Sequence, residues 1–172
     1  MDNRKVSIYL HKHFIAMEEK IISTKICVYS YNELSEADKI LVENAKKASE
    51  NAYAPYSKFH VGAAVRLSNG AIVAGANQEN AAFPSGTCAE RTAVYYAHAT
   101  HPDATIEAIA IAASKDGEFQ RKAVAPCGAC RQALLEYEHL AGKPMRVVLY
   151  GADEVCVVEG IASLLPLCFA EF

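Results

Sequence analysis

Two short stretches decide the fold, TCAER at residues 87–91 and PCGAC at residues 126–130. Each introduces a segment that is helical by composition, the first from Cys88 to about Thr100 and the second from Cys127 to about Leu140. Between these helices lies an apolar run of strand length, Ile106 to Ala113. A strand that lies between two helices predicts a layered α/β structure.

The sequence on either side adds strands to this centre. On the N-terminal side we expect a strand at Lys25 to Tyr31 and then a helix opened by Ser35. Asn69-Gly70 separates two short alternating runs, which is the strongest short-range signal for a β-hairpin. On the C-terminal side we expect strands at Arg146 to Tyr150 and at Val155 to Val158. Because the hairpin makes the sheet mixed, the predicted fold is a three-layer α/β/α arrangement with a mixed, roughly five-stranded sheet.

Length and composition indicate a single globular domain. The chain has 172 residues, of which 52% are hydrophobic and 22% are charged, so it can bury a core without disulfides. We assign residues 24–172 to this domain and residues 1–23 to an N-terminal extension. Two alternatives stay open for the extension: residues 1–16 form an extra ordered element, or translation begins at Met17.

Charge and hydropathy argue against two classes of partner. The formal net charge is −3 and the basic residues are scattered, so we expect no nucleic acid partner. No run reaches the roughly 18 apolar residues that a membrane helix needs, so we expect no membrane partner. The expected location is the cytoplasm, where reducing conditions keep cysteines as thiols.

Three of the six cysteines have the spacing of metal ligands. Cys127 and Cys130 can chelate one zinc ion, and Cys88 can supply a third thiolate. Since structural zinc sites usually have four protein ligands, three ligands leave the fourth position to water and indicate a catalytic site. Cys88 and Cys127 both begin predicted helices, where the helix dipole favours thiolates. We interpret the remaining cysteines as packing thiols in apolar surroundings: Cys27, Cys156 and Cys168.

Two charged residues beside Cys88 complete the predicted site. Three thiolates exceed the charge of one zinc ion, and Arg91 is placed to offset this excess by donating to the sulfurs. Glu90 lies two residues from a ligand, so it can act as a proton shuttle without binding the metal. A structural alternative exists, because Thr87 and Glu90 also match a helix capping box. Neither a redox Cys-x-x-Cys pair nor a structural zinc knuckle requires a Cys-x-Glu motif upstream. The presence of Cys88-Ala89-Glu90 therefore argues against both interpretations.

The order of these motifs resembles that of the small homotetrameric cytidine deaminases. Zinc deaminases combine a His-x-Glu or Cys-x-Glu with a later Pro-Cys-x-x-Cys, and the resemblance extends over roughly Lys25 to Phe169. It implies the cytidine deaminase-like α/β/α fold, a zinc cofactor, and hydrolytic deamination of cytidine and deoxycytidine in pyrimidine salvage. It also implies self-association, as a homotetramer or a homodimer. The motifs that carry it are Ala52–Ser57, Phe59 with Val61–Ala64, Asn77–Asn80, Cys88–Arg91 and Pro126–Gln132.

The resemblance also implies which residues contact the substrate. It places Asn77 and Glu79 against the ribose, and Phe59 and Ala89 in the nucleoside pocket. Phe169 matches a family residue that reaches into the active site of a neighbouring subunit. Structural roles stay open for three of these residues, namely core packing for Phe59, a solvated loop charge for Glu79 and local packing for Phe169.

The mechanism that the residues and the resemblance predict depends on Glu90. This carboxylate takes a proton from water, passes it to N3 of the pyrimidine, and later protonates the amine that leaves C4 as ammonia. One departure from the family lies nearby. Phe83-Pro84 stands where the family commonly has Tyr-Pro, which removes one hydroxyl near the site.

Three other functions stay open. A deaminase of an aminopyrimidine nucleoside antibiotic such as blasticidin S shares the zinc core, although Asn77 and Glu79 argue against it. A polynucleotide editor usually carries His as the first ligand and needs a basic strand-binding surface. The non-enzyme alternative is a zinc-stabilised protein that binds nucleosides without turnover, and an intact Glu90 argues against it.

Overall fold

The computed structural model describes residues 18–170. The two alternatives for residues 1–16 and Met17 lie outside the described residues. Residues 18–23 of the proposed extension are exposed and belong to no helix or strand. The helices and strands are β1 Cys27–Tyr29, α1 Glu36–Ser49, β2 Phe59–Leu67, β3 Ile72–Ala76, α2 Ala89–Thr100, β4 Ile106–Lys115, β5 Glu118–Phe119, α3 Gly128–Ala141, β6 Arg146–Tyr150 and β7 Val155–Glu159.

The strands of the described chain form one mixed sheet. Six of them follow the order β1-β7-β6-β4-β2-β3, and β5 pairs with β4. β4 and β6 are parallel, whereas the other neighbouring pairs are antiparallel. The prediction of a mixed α/β sheet is confirmed, with seven strands in place of roughly five. The two residues of β5 are too few to produce a periodic signal in the sequence.

The predicted hairpin joins β2 to β3. Gly70 has a φ of +84°, in the left-handed region that glycine adopts without strain. The Asn69 side chain accepts a hydrogen bond from the backbone N–H of Ala71 at 3.0 Å. The turn thereby sets a register in which Gly62 lies opposite Ala76.

One helix covers one face of the sheet, and two helices cover the other. α1 packs on β2, β3 and β4, whereas α2 and α3 pack beside each other on the opposite face. Alternation along β2 produces these two faces, because Ala63, Val65 and Leu67 join the α2/α3 core while Ala64 joins the α1 core. The three-layer α/β/α prediction is therefore confirmed.

Two glycines let the helices approach the hairpin closely. A Cβ at Gly62 would lie 2.0 Å from the carbonyl oxygen of Ala45 in α1. A Cβ at Gly75 would lie 2.7 Å from the backbone nitrogen of Ala93 in α2. Glycine at both positions therefore allows α1 and α2 to contact the sheet backbone directly.

The three cysteines outside the proposed metal site differ in exposure. Cys27 and Cys156 are partly buried and pack against the two cores, as expected of packing thiols. Cys168 is exposed, so its interpretation as a packing thiol was wrong. Its sequence neighbours Leu167 and Phe169 are also exposed, at 87% and 69%, which shows that apolar neighbours in the sequence do not by themselves bury a side chain.

The helices are shorter than a membrane-spanning helix. α1 and α3 contain 14 residues each and α2 contains 12. A bilayer-spanning helix needs about 20 predominantly apolar residues. None of the helices between residues 18 and 170 is long and apolar enough to cross a membrane.

Candidate active site

Three cysteine sulfurs meet where α2 and α3 begin. Cys88 is the N-cap residue of α2, Cys127 is the N-cap residue of α3, and Cys130 lies in the first turn of α3. Their Sγ atoms all lie within 4.8 Å of one another, and those of Cys88 and Cys127 are 3.9 Å apart. Two sulfurs bound to one tetrahedral zinc ion, each at about 2.3 Å, would be about 3.8 Å apart. The cluster therefore fits the zinc ion that the sequence predicts.

The backbone holds the two helix starts in place. Thr87, directly before Cys88, exchanges two hydrogen bonds of 2.9 Å with the backbone of Gln78, just beyond β3. The carbonyls of Cys88 and Cys127 accept the first helical hydrogen bonds, at 3.1 and 2.9 Å. Neither cysteine uses its side chain as a helix cap. Both sulfurs are therefore available to a metal.

The sulfurs influence each other's ionisation. Hydrogen bonding from Cys130 lowers the pKa of Cys88 to about 5. Arg91 and Cys127 act in the same direction, whereas burial acts to raise this pKa. The pKa of Cys130 is raised, because its thiol donates to Cys88 and because it is buried. One thiolate thus opposes the formation of the next, so a divalent cation is needed to assemble three of them.

Glu90 lies in the first turn of α2, beside the cysteine cluster. Its side chain is almost completely buried, with 5% exposed, and this burial raises the pKa of its carboxyl group. The capping-box alternative is not formed, because Cys88 and not Thr87 is the N-cap residue of α2. The Thr87 hydroxyl donates to the carbonyl of Cys88 at 3.5 Å. Glu90 is therefore not used as a helix cap.

Arg91 contacts the cluster from the side. Its Nη2 lies 3.9 Å from the Sγ of Cys88, within hydrogen-bonding range of a sulfur acceptor. Its Nε is buried and has no hydrogen-bond partner among the described residues. A cation in this position is placed to reduce the negative charge of the thiolates, as the sequence predicts.

A cavity of about 680 Å³ opens onto these groups. Cys88, Cys127 and Glu90 form one end of its lining. The predicted substrate-contacting residues Phe59, Asn77 and Glu79 also line it. The structure therefore brings two of the proposed metal ligands, the proposed proton shuttle and three candidate substrate contacts to one cavity, whose volume lies within the range of small-molecule sites.

The two candidate ribose residues also hold the cavity wall. Asn77 accepts a hydrogen bond from the backbone N–H of Val61 at 2.8 Å and donates to the carbonyl of Phe59 at 2.9 Å. One oxygen of Glu79 accepts hydrogen bonds from the backbone of Tyr56 at 2.8 Å and Ser57 at 3.3 Å. Hydrogen bonding to the Ser57 side chain lowers the pKa of Glu79. Glu79 is thus ionised and fixed, unlike a solvated loop charge.

A family model supplies the decisive comparison. The model described as the cytidine and deoxycytidylate deaminase zinc-binding region matches residues 35–142, which contain the three cysteines and Glu90. The chain belongs to the cytidine and deoxycytidylate deaminase family. The predicted family, α/β fold class, enzyme class and zinc cofactor are confirmed by this match and by the relatives described next.

Individual members of the family are similar over most of the chain. The cytidine deaminase of Sporosarcina psychrophila is 39% identical over 131 residues, which cover 76% of this chain and 90% of that protein. The cytidine deaminase of Halalkalibacterium halodurans is 42% identical over 97 residues, which cover 56% of this chain and 69% of that protein. The crystal structure of cytidine deaminase from Burkholderia pseudomallei gives a TM-score of 0.65 at 38% identity, covering 79% of this chain and 100% of that one.

Within the family site, the other predicted contacts have distinct positions. Phe59 is half-buried in the cavity wall and is not an ordinary core residue. Ala89 is fully buried in the α2/α3 core and does not line the cavity. Phe169 is 69% exposed, and Gln132 holds its backbone against α3. Phe83 lines the cavity and is 92% exposed.

Several residues of the cavity lining were not predicted from the sequence. Tyr56 and Ser57 belong to a motif that carries the resemblance, but only the structure shows that they fix Glu79. Val124 and Ala125 also line the cavity. Their position directly before Pro126 was the available signal, because residues next to a metal ligand are carried to the cavity with it.

Proposed function

We propose that the chain catalyses the hydrolytic deamination of cytidine and deoxycytidine to uridine and deoxyuridine, with release of ammonia, in pyrimidine salvage. The observation that carries this proposal is the position of Glu90. Its buried carboxyl group lies two residues after Cys88 and shares a cavity with Cys88 and Cys127. Relatives that cover most of the chain are cytidine deaminases, which supports the same substrate class here.

The cysteine cluster would hold the zinc ion through Cys88, Cys127 and Cys130. Bound zinc supplies Lewis acidity that activates a water for attack on C4 of the pyrimidine. Arg91 donates toward Cys88 and reduces the excess negative charge of three thiolates. This lowers the cost of placing further negative charge on the attacking oxygen.

Glu90 moves the protons. It accepts one proton from the attacking water and delivers it to N3, while the oxygen adds to C4. It then carries the second proton of that water to the exocyclic amino group, the C4–N bond breaks, and ammonia leaves. A carboxyl group whose pKa is raised by burial is suited to both accepting and returning a proton near neutral pH. The carboxylate is restored at the end of the cycle.

Asn77 and Glu79 are proposed to select the sugar. A carboxylate has about four acceptor positions, and the backbone of Tyr56 and Ser57 occupies only part of this capacity in Glu79. Glu79 can therefore accept hydrogen bonds from ribose hydroxyls. A site built to bind a hydroxyl discriminates strongly against ligands that lack it, so nucleosides should react far faster than free cytosine.

A homotetramer, or a homodimer, is part of the proposal. Phe169 is exposed and does not line the cavity of its own chain in the described residues. We place it in the cavity of a neighbouring subunit, where it would cover the bound nucleoside. Light scattering coupled to size-exclusion chromatography measures the assembly. We place the enzyme in the cytoplasm, whose reducing conditions keep the zinc ligands as thiols.

The proposed activity is tested by measuring ammonia release and the loss of ultraviolet absorbance with cytidine, deoxycytidine, cytosine and CMP. We expect turnover of both nucleosides, which a zinc chelator abolishes and added zinc restores. Blasticidin S and a cytidine-containing oligonucleotide serve as competing substrates.

Each competing function has its own outcome in this experiment. Turnover of blasticidin S in preference to cytidine would replace the proposal by an antibiotic deaminase. Turnover of the oligonucleotide alone would replace it by a polynucleotide editor. Stoichiometric binding of cytidine by the zinc-loaded protein without ammonia release would replace it by a binding protein.

A further inference from the structure

Arg131 joins two parts of the molecule that are far apart in the sequence. It lies in α3 directly after a proposed zinc ligand and is partly buried. Its Nε donates to the carbonyl of Pro126 at 2.8 Å, and its Nη1 donates to the carbonyl of Leu164 at 2.7 Å. One guanidinium group therefore connects the turn before Cys127 to residues 160–169, which we name the C-terminal segment.

The bond to Pro126 controls the conformation at Cys127. Arg131 also donates its backbone N–H to the carbonyl of Cys127 at 2.9 Å. It thereby holds the peptide groups on both sides of the Cys127 Cα atom. Because Cys127 is exposed, packing contributes little to its orientation. The two hydrogen bonds from Arg131 therefore fix the backbone from which this sulfur projects.

The bond to Leu164 fixes one end of a short helical turn. The 3-10 turn Ile161–Leu164 begins where the buried carboxylate of Glu138 accepts hydrogen bonds from the backbone of Ile161 at 2.6 Å and Ala162 at 3.4 Å. It ends at the carbonyl that Arg131 binds. Glu138 and Arg131 lie seven residues apart, about two turns of α3, and so hold both ends of the 3-10 turn against one helix.

The next residue of α3 extends this attachment to Phe169. Gln132 donates through Nε2 to the carbonyl of Phe169 at 2.7 Å and accepts from its backbone N–H at 3.3 Å. Phe169 is 69% exposed, and α3 holds its backbone. The same helix begins at Cys127, its N-cap residue.

We propose that Arg131 is a positioning residue that couples zinc binding at Cys127 to the order of the C-terminal segment. This inference rests on the zinc site of the proposed function. Arginine suits the task because its planar fork offers donors in fixed and different directions. A lysine has a single nitrogen at the end of a flexible stem, so it cannot bridge the two carbonyls in the same geometry. By linkage, zinc orders the segment to the same extent that the ordered segment strengthens zinc binding.

The test uses the zinc-loaded full chain and three variants, Arg131→Met, Arg131→Lys and the control Arg121→Met. Arg121 is 83% exposed and bonds only a surface carboxylate among its recorded side-chain contacts, that of Asp153. One readout is the rate at which zinc transfers to a chromophoric chelator. The other is hydrogen exchange of the backbone amides in residues 161–169, with and without zinc. Neither readout involves turnover.

In the wild-type chain we expect zinc removal to raise exchange in the C-terminal segment by about fivefold or more. Arg131→Met should release zinc about tenfold faster or more, as when a residue that orients a metal ligand is removed. Its exchange in the segment should be high whether or not zinc is bound. Arg131→Lys should lie between Arg131→Met and the wild type, and Arg121→Met should match the wild type.

Two results would overturn the coupling. One is wild-type exchange in residues 161–169 that is the same with and without zinc. The other is an Arg131→Met protein that is folded by circular dichroism and releases zinc at the wild-type rate. If Arg131→Met does not fold, the wild-type exchange comparison and Arg131→Lys decide the question. A chain that shows the coupling but does not deaminate cytidine contradicts the proposed function alone.

Discussion

Two buried carboxylates on opposite faces of the sheet, one in α1 and one in α2, have opposite environments. Asp38 of α1 and Glu90 of α2 are nearly equally buried, at 2% and 5% exposure. Burial acts to raise the pKa of Asp38, but hydrogen bonds led by those from Arg146 outweigh it and lower that pKa. Burial raises the pKa of Glu90, with no hydrogen bond from a cationic side chain recorded for it among the described residues.

The difference lies in the hydrogen-bond partners of each carboxylate. Arg146 donates from Nη2 to one Asp38 oxygen at 2.9 Å and from Nε to the other at 3.1 Å, and it also bonds Glu159. The charge of Asp38 is therefore paired and structural. On the α2/α3 face Glu90 is turned to a cavity and stays available for proton transfer. The partner of a buried charge, and not its burial, distinguishes a structural group from a reactive one.

The largest expected effect comes from removing a sulfur on each face. Cys88→Ala should lose zinc and reduce kcat/KM by about a thousandfold or more, because metal activation contributes several kcal/mol. Cys27→Ala, a partly buried thiol against the α1 core, is the matched control and should leave kcat/KM unchanged. Zinc analysis and cytidine assays on both variants check this. A Cys88→Ala protein with one zinc per chain and near-normal activity would remove the basis of the contrast.

The second expected effect concerns stability and appears on the other face. Asp38→Asn removes the buried anionic partner of Arg146 and leaves it only the exposed Glu159, so we expect a loss of about 2 kcal/mol in the free energy of unfolding. Glu90→Gln replaces a buried carboxyl that has no hydrogen bond from a cationic side chain of the described residues by a neutral isostere, and it should cost less than about 1 kcal/mol. Urea denaturation of both zinc-loaded proteins at one chain concentration measures this difference. Equal losses in the two variants would contradict the distinction between the faces.

The Asp38 effect should also depend on pH in a defined direction. Because the folded-state pKa of Asp38 is lowered, its ion pair stabilises the fold above the ordinary aspartate pKa of about 4. That stabilisation is lost as the pH falls through the lower folded-state pKa. The stability gap between the wild type and Asp38→Asn should therefore be full at pH 7 and shrink steadily below about pH 4. A gap that grows on acidification would show that Arg146 does not act through the charge of Asp38.

The smallest expected effect is at Lys46 of α1, which lies close to three aromatic rings. Lys46 Nζ lies 4.7 to 5.4 Å from the ring centroids of Tyr31, Phe119 and Tyr150. Lys46→Met should cost about 1 kcal/mol and leave turnover unchanged. Lys47→Met, at the exposed neighbouring position, is the control and should leave the melting temperature unchanged. A fall in turnover at Lys46→Met would show that the α1 face contributes to catalysis.

Features specified by neighbouring residues could be predicted from the sequence. Ser35 caps α1 through the N–H of Asp38, and Asn69-Gly70 forms the hairpin turn, because each needs only residues close in the chain. The proximity of Cys88, Cys127 and Cys130 also followed from their spacing at two helix starts. These local signals were sufficient for the order of the elements other than β5, for the α/β class and for the position of the cysteine cluster.

Features that depend on distant residues could not be predicted in this way. In the sequence, Asp38 has only the features of an acidic residue in the first turn of a helix. Its partner Arg146 lies 108 residues away. The hydrogen bond from Arg131 to Leu164 spans 33 residues, and that from the backbone N–H of Ile161 to Glu138 spans 23. A single sequence carries no periodicity that pairs such residues, because the pairing arises only when the helices pack on the sheet.

The most direct test of the central claim is Glu90→Gln, with zinc content and ammonia release measured on the same sample. The three sulfurs are unchanged in this variant, so it should keep one zinc per chain. Without a carboxylate to move protons, turnover of cytidine should fall by about a thousandfold or more. A Glu90→Gln protein that holds zinc and still deaminates cytidine at close to the normal rate would contradict the account.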